Sequence, residues 1–424
     1  IRHPPDRGLR AHVSCSRSGM PQLVPGLTHP KRTFGDAFDP KRNAFGFLRL
    51  TLAIMVVFSH SFRLGGFGND VFAVLGNGRA TIGFVAVAMF FVLSGFLITR
   101  SASHSSSVLR FLWHRFLRIF PGYWVCLLVC GFAFAPLIAW VEHGTLTRIF
   151  SAPYGSPQAF VLHNVGLFHL KPSFIGAVTI SPPGFVGLLT HNPMPVSING
   201  SLWTLPLEVA CYAGVAALAM CGLVRRGRWV FLASFAGFLL LYAHNYLYPA
   251  SFNRSFPVPG LTVFIPLALS FSAGCVCFVY REKIPCSGWI FALCLVLLAT
   301  SLAFGVFHLL MPIFLTYVFL WLAVTLPFSR FDAKGDFSYG TYIYAFPVQQ
   351  TLALAGVPEQ GFALYFGASL AITLMLAVLS YRLVEAPCLR WKNLDVATAI
   401  RSRFSRSRIP APVATGGDVL GVEA

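Results

Sequence analysis

Ten stretches of roughly twenty mostly apolar residues, separated by short polar segments, run along the chain at about 46–65, 79–99, 119–141, 201–223, 228–248, 259–280, 287–308, 311–328, 336–356 and 361–384. A hydrocarbon core about 30 Å thick takes about twenty helical residues to cross, and only a helix satisfies its own backbone polar groups within lipid over such a run. The pattern predicts an all-α fold: a polytopic integral membrane protein of about ten transmembrane helices. Residues 1–40, rich in Pro, Gly, Ser and Arg without periodicity, predict a disordered basic tail, and residues 391–424, with spaced arginines, predict a second one facing headgroups. Between them, 41–390 form the transmembrane domain. Its one long loop, about 142–200, carries seven prolines and short apolar stretches such as Ala159–Leu170, and is expected to fold back over one end of the bundle. No cleavable signal is read before the first run, and Met20 is an alternative start to the opening Ile1.

Composition agrees with this pattern and narrows the partners. With 56% apolar and 11% charged residues and a mean hydropathy of +0.69, an ordinary soluble domain is excluded. A net charge of +18 would suggest nucleic acid in a soluble protein, but its distribution points to membrane lipids instead. With the N-terminus placed in the cytoplasm, only Arg63, Arg79, Arg148, Lys171 and Arg254 of the 32 Lys and Arg fall outside. That asymmetry follows the positive-inside rule and puts both termini in the cytoplasm. The ten cysteines are scattered, mostly within the apolar runs, and their spacing suggests neither a disulfide framework nor a metal site.

Within the first run, Arg49 precedes His60 by eleven positions. Eleven helical steps turn about 1,100°, so the two side chains lie within about 20° of each other and about 16 Å apart along the axis. A central Arg costs about 2.5–3.5 kcal/mol to insert, so a chain that keeps both on one stripe is expected to use them. Glu208 is the one acid well inside a predicted span. Counting from the helix ends places it about 10 Å, and His60 about 7 Å, below the outer surface. At such a shared depth a carboxylate can orient an imidazole that acts as general base. On the inner side, Arg115 and Arg118 lie at i and i+3 on one helix face, a fork suited to phosphates.

These residues sit in six segments: Arg49-x10-His60; Phe90-Phe-Val-Leu-Ser-Gly-Phe-Leu-Ile-Thr99; Arg115-Phe-Leu-Arg118-Ile-Phe-Pro121; Ser201-Leu-Trp-Thr-Leu-Pro-Leu-Glu208; Phe337-Ser-Tyr-Gly-Thr-Tyr-Ile-Tyr-Ala-Phe-Pro347; and Tyr381-Arg-Leu-Val-Glu385-Ala-Pro387. In this order they resemble the integral-membrane acyltransferase-3 family, which acylates sugars of bacterial surface polysaccharides. The resemblance covers about residues 41–390 and is to the stand-alone form, without a hydrolase-like extracytoplasmic domain. It implies an O-acyltransferase in the plasma membrane of a bacterium, the inner membrane if Gram-negative. It would move an acyl group, acetyl above all, from cytoplasmic acyl-CoA to a hydroxyl of an extracytoplasmic or lipid-linked saccharide (polysaccharide, lipid-linked sugar or small glycoside), with no permanently bound cofactor. His60 and Arg49 take the family's essential His and Arg, Arg115 and Arg118 the pair associated with the donor, and Glu208 the acid of its motif, with Trp203 at the substrate. Whether His60 removes the hydroxyl proton or carries the acyl group stays open. Ala345 stands where members commonly have His before Phe-Pro. The alternative is a proton-coupled transporter or lipid-linked sugar flippase with His60 and Glu208 as a relay, which inverted repeats with broken helices would favour; none is evident.

Overall fold

The structure, a computed structural model, describes residues 32–75, 81–151, 156–167, 185, 188–195, 197–256, 258 and 260–394. Among the described residues, ten helices of 16 residues or more follow one another and strand pairing is limited to isolated bridges. They are α1 (Phe45–Leu64), α2 (Ile82–His104), α3 (Val108–Val129), α4 (Thr204–Met220), α5 (Arg228–Leu247), α6 (Leu261–Val279), α7 (Gly288–Ala303), α8 (Phe307–Thr325), α9 (Ser338–Leu354) and α10 (Phe362–Ser380). Each answers to one apolar run, so the chain is an all-α, multi-pass membrane protein.

Eight of the ten, some lengthened by an adjoining turn or helix, are long and apolar enough to cross a membrane. The remaining two are shorter than expected. α7 has 16 residues and α9 has 17, or about 24 and 26 Å at 1.5 Å per residue. The run expected at 287–308 is split by a turn at Gly305, whose φ of +70° is left-handed. α9 is short and relatively polar for a different reason. Every residue from Gly340 to Gln350 is buried by protein, so this helix has no lipid to match.

Start signals agree with the sequence. The Thr81 hydroxyl accepts the Phe84 N–H at the head of α2, and Ser107 accepts that of Arg110 at the head of α3. The stretch 32–40, placed in the tail by its composition, contributes one helical turn, Phe34–Ala37. Thr33 and Asp36 close a capping box around it, and Phe34 packs on Tyr317. The rest of the N-terminal tail, and the C-terminal tail beyond Leu394, lie outside the described residues.

The tightest crossing is α2 on α6. A Cβ on Gly95 would lie 1.9 Å from the Phe271 carbonyl oxygen, and one on Gly274 would lie 2.0 Å from that of Val92. Two small residues thus let the backbones touch, which is how helices associate where lipid is as apolar as their side chains. α9 is tied to α1 by Gln349, whose Nε2 donates to the Val57 carbonyl and to Ser61 Oγ, both at 2.8 Å. Gln350 Nε2 donates to the carbonyls of Met194 (2.8 Å) and Ser197 (2.9 Å). Glu142 accepts the backbone N–H groups of Thr190 and His191 at 2.7 and 2.9 Å. These bonds hold the described end of the long loop over the bundle at the His60 end. The other end carries both described chain ends. The Phe34 N–H donates to the Ile284 carbonyl, and Trp113 Nε1 to that of Trp391.

Candidate functional site

Two cavities enter the bundle from opposite ends. The one at the Arg49 end encloses about 120 Å³ and is lined by Arg49, Arg115, Arg118, Glu208 and Tyr212 among others. The one at the His60 end encloses about 270 Å³ and is lined by His60, Arg63, Trp203 and Phe346 among others. Four helices pass their lining from one cavity to the other in step. α1 gives Arg49 to the first and His60 to the second. α2 gives Ser94 and Phe84, α4 with the 3-10 turn before it gives Glu208 and Trp203, and α9 gives Tyr339 and Phe346. Val87 and Tyr342 line both cavities and stand between them.

Arg49 and His60 therefore point into the bundle interior from one helix, as their spacing predicts, but into different cavities. The ring of Phe346 meets that of His60 edge-on with centroids 5.4 Å apart. His60 Nδ1 is buried and has no hydrogen-bond partner among the described residues. Trp203 shares this cavity with it.

The expected pairing of His60 with Glu208 is not formed. Glu208 lies on the Arg49 side of Tyr342, where its Oε1 accepts from Ser94 Oγ at 3.0 Å and from the Tyr212 hydroxyl. Depth counted at 1.5 Å per residue treats the segment from Ser201 as α-helix. Gly200–Trp203 is a 3-10 turn, whose rise of about 2.0 Å per residue carries Glu208 further in. The count also knew nothing of the Tyr342 side chain between the two groups.

The arginine fork is likewise divided. Arg118 donates to Asp336 Oδ2 and lies 3.8 Å from Glu385, and Arg49 lies 3.3 Å from the same Asp336 oxygen. Asp336 precedes α9, and its other oxygen accepts the Ser338 N–H and hydroxyl at 3.2 and 2.5 Å. A π turn, Tyr381–Glu385, continues α10 and delivers the Glu385 carboxylate to this cluster. Arg115, one turn before Arg118 and rotated toward Glu208 and Tyr212, makes no ion pair or hydrogen bond among the described residues, and its Nε is buried. A guanidinium whose buried Nε lacks a hydrogen-bond partner is costly even beside the Glu208 carboxylate, and an anionic ligand would offset that cost.

Several of these residues escaped sequence reasoning. Asp336 lies at the edge of the ninth run, where an acid is unremarked. Tyr212 is Glu208 plus four, a helical neighbour that could have been found. Ser94, Thr204 and Tyr342 belong to quoted segments but are not unusual in apolar runs. Ala345, where the resemblance led one to look for a His, is fully buried and lines neither cavity. No group of His, Cys, Asp and Glu able to hold a metal occurs among the described residues.

A family model described as an acyltransferase domain (acyltransferase 3) matches residues 42–382. An O-acetyl transferase of Shigella phage Sf6 is 30% identical over 353 residues, covering 81% of this chain and 95% of that protein. Nodulation protein 10 of Rhizobium leguminosarum bv. viciae is 26% identical over 391 residues, covering 84% and 95%. No solved structure gives a significant match.

Proposed function

From the premise that this chain belongs to the membrane-bound acyltransferase-3 family and is an O-acyltransferase, we propose that it moves an acetyl group from cytoplasmic acyl-CoA to a saccharide hydroxyl across a bacterial plasma membrane. One observation carries this reading: two cavities of different chemistry approach each other from opposite ends and share Val87 and Tyr342 in their linings. The Arg49 end is taken as cytoplasmic because the positive-inside asymmetry favours it. Acetyl is chosen because the phage relative is an O-acetyl transferase.

In this reading Arg115 meets a phosphate of the donor, while Arg49 and Arg118, fixed by Asp336, shape the cavity floor. The saccharide lies at the other end against Trp203, whose flat apolar face suits a sugar ring. A sugar hydroxyl is a poor nucleophile at neutral pH, and a positioned base contributes about 10²–10⁴-fold. His60 lines the acceptor cavity and not the donor cavity, which favours the base over the acyl carrier. It takes the hydroxyl proton as the oxygen attacks the thioester carbonyl. The new C–O bond forms, the C–S bond breaks, and the proton passes on to the departing thiolate or to solvent.

Mass spectrometry of surface glycans from cells with and without the protein tests this. The expected result is an acetyl mass gain that needs the wild-type chain and disappears in His60→Ala at matched membrane abundance. More than a tenth of wild-type acetylation remaining in His60→Ala would remove His60 from catalysis. No gained acyl mass in any glycan or glycolipid would defeat the acceptor assignment.

A further inference from the structure

We propose that Tyr342, with Val87, is the specificity-determining partition of this enzyme: a side-chain gate whose size limits which acyl groups cross from the donor to the acceptor cavity. The inference rests on the proposed function, because it takes the two cavities to be the donor and acceptor sites.

The position of the partition is fixed by four helices at once. On α2 and its cap, Thr81, Gly83 and Phe84 face one cavity, Phe90, Phe91 and Ser94 the other, and Val87 alone faces both. On α9, Ser338 and Tyr339 face one, Phe346 the other, and Tyr342 alone faces both. Val87 and Tyr342 border both cavities, so the proposed opening between the reacting groups passes beside these two side chains. Val87 carries two short methyl branches on a stiff Cβ and cannot sweep aside far. Tyr342 is 8% exposed, and its ring meets that of Phe90 with centroids 6.0 Å apart. Its hydroxyl is hydrogen-bonded to Thr204 Oγ1 at 2.7 Å, at the start of α4. Turning the ring aside requires breaking that one bond, worth about a single net hydrogen bond. Val87 has no such movable element, so opening falls to Tyr342.

A closed partition has a chemical purpose. A thioester in a continuous channel would meet water from the acceptor side and be hydrolysed: the carbonyl would gain a water oxygen, the C–S bond would break and the proton would pass to the thiolate. Excluding that water is a recognised service of a closed site. When the ring swings only part-way, the aperture beside Val87 admits a short acyl group and stops a longer one. The hydroxyl and the ring bulk thus have separable tasks. The bond to Thr204 times the opening, and the bulk sets the size.

The test compares the full-length protein in membranes that supply endogenous acceptor, as wild type and as Val87→Ala, Tyr342→Ala, Tyr342→Phe and Thr204→Val. Each receives acetyl-, butyryl- or hexanoyl-CoA. Two quantities are read: acyl groups on glycan, and free CoA released when acceptor has been removed. Val87→Ala and Tyr342→Ala are expected to raise butyryl and hexanoyl transfer, two and four methylenes longer, relative to acetyl by about tenfold or more, since even one methylene commands about tenfold in a tight pocket. Tyr342→Phe and Thr204→Val should instead raise acceptor-independent CoA release several-fold while the ratio between acyl lengths stays as in wild type. A role in folding alone would change abundance and not that ratio. Val87→Ala removes only two methyl groups, so it carries the size test even if Tyr342→Ala does not accumulate. An unchanged length ratio in Val87→Ala with acetyl transfer retained would overturn the partition and leave the proposed function standing. A wild-type protein that consumes none of the three acyl-CoAs would overturn both.

Discussion

Arg115 and Arg118 are three residues apart on one helix, yet the structure gives them different surroundings. Arg118 is held between Asp336 and Glu385, whereas Arg115 shares the cavity with Glu208 and makes no ion pair or hydrogen bond among the described residues. Arg115→Gln is therefore expected to raise KM for acyl-CoA by about tenfold, the worth of one charge-assisted hydrogen bond, with protein abundance unchanged. Arg118→Gln should act on stability instead. It strands Glu385, which is 2% exposed, and costs about 3 kcal/mol, the low end for a broken buried pair because Arg49 still holds Asp336. Steady-state kinetics in membranes and thermal denaturation in detergent separate the two; equal effects of both variants on KM would restore the symmetric fork. The contrast was not legible in sequence. Spacing shows that two arginines share a helix face, but not that an acid from a loop 218 positions away claims one of them. Arg49 and His60 were legible because both break an apolar run at helical spacing. Glu208 was legible as a costly residue, but its partners depend on where Tyr342 stands.

Among elements, the α2–α6 crossing makes the plainest demand on sequence. Gly274→Val would press a side chain into the Val92 carbonyl, which belongs to backbone and cannot swing away. Overpacking of this kind costs about 1–3 kcal/mol, and the yield of monodisperse protein from detergent should fall accordingly. Gly237→Ala on α5 is the matched control. Its Cβ would meet open space, and an alanine should stabilise a helix interior by about 0.5–1 kcal/mol. Equal yields from the two variants would mean that the close crossing is not required. All ten helices were legible as apolar runs because lipid imposes length and polarity on each helix separately. What hydropathy could not convey is that α9 is enclosed by protein. Its buried Gln349 and Gln350 bond to α1 and to the loop over the His60 end, contacts that periodicity does not encode.

At the scale of the whole molecule, the account depends on which end of the bundle faces the cytoplasm. The charge asymmetry places Ser106, between α2 and α3, inside and Ser251, in the short helix Pro249–Ser255 between α5 and α6, outside. Both serines are exposed. With Ser251→Cys, an impermeant thiol reagent should label intact cells above the background of the ten native cysteines, and with Ser106→Cys it should not. The reverse pattern would invert the assignment of donor and acceptor cavities. The sequence supplies this orientation as an expectation from charge, whereas it could not supply the meeting of the cavities at Val87 and Tyr342, which needs four helices in register. The most direct measurement of the central claim is transfer in sided membrane vesicles given labelled, impermeant acetyl-CoA from the outside only. Vesicles that expose the Arg49 end are predicted to place label on saccharide enclosed within them or facing their lumen. Vesicles that expose the His60 end should do so only after permeabilisation. Label transferred from the His60 side in sealed vesicles would contradict a donor that enters at the arginines and an acyl group that crosses to His60.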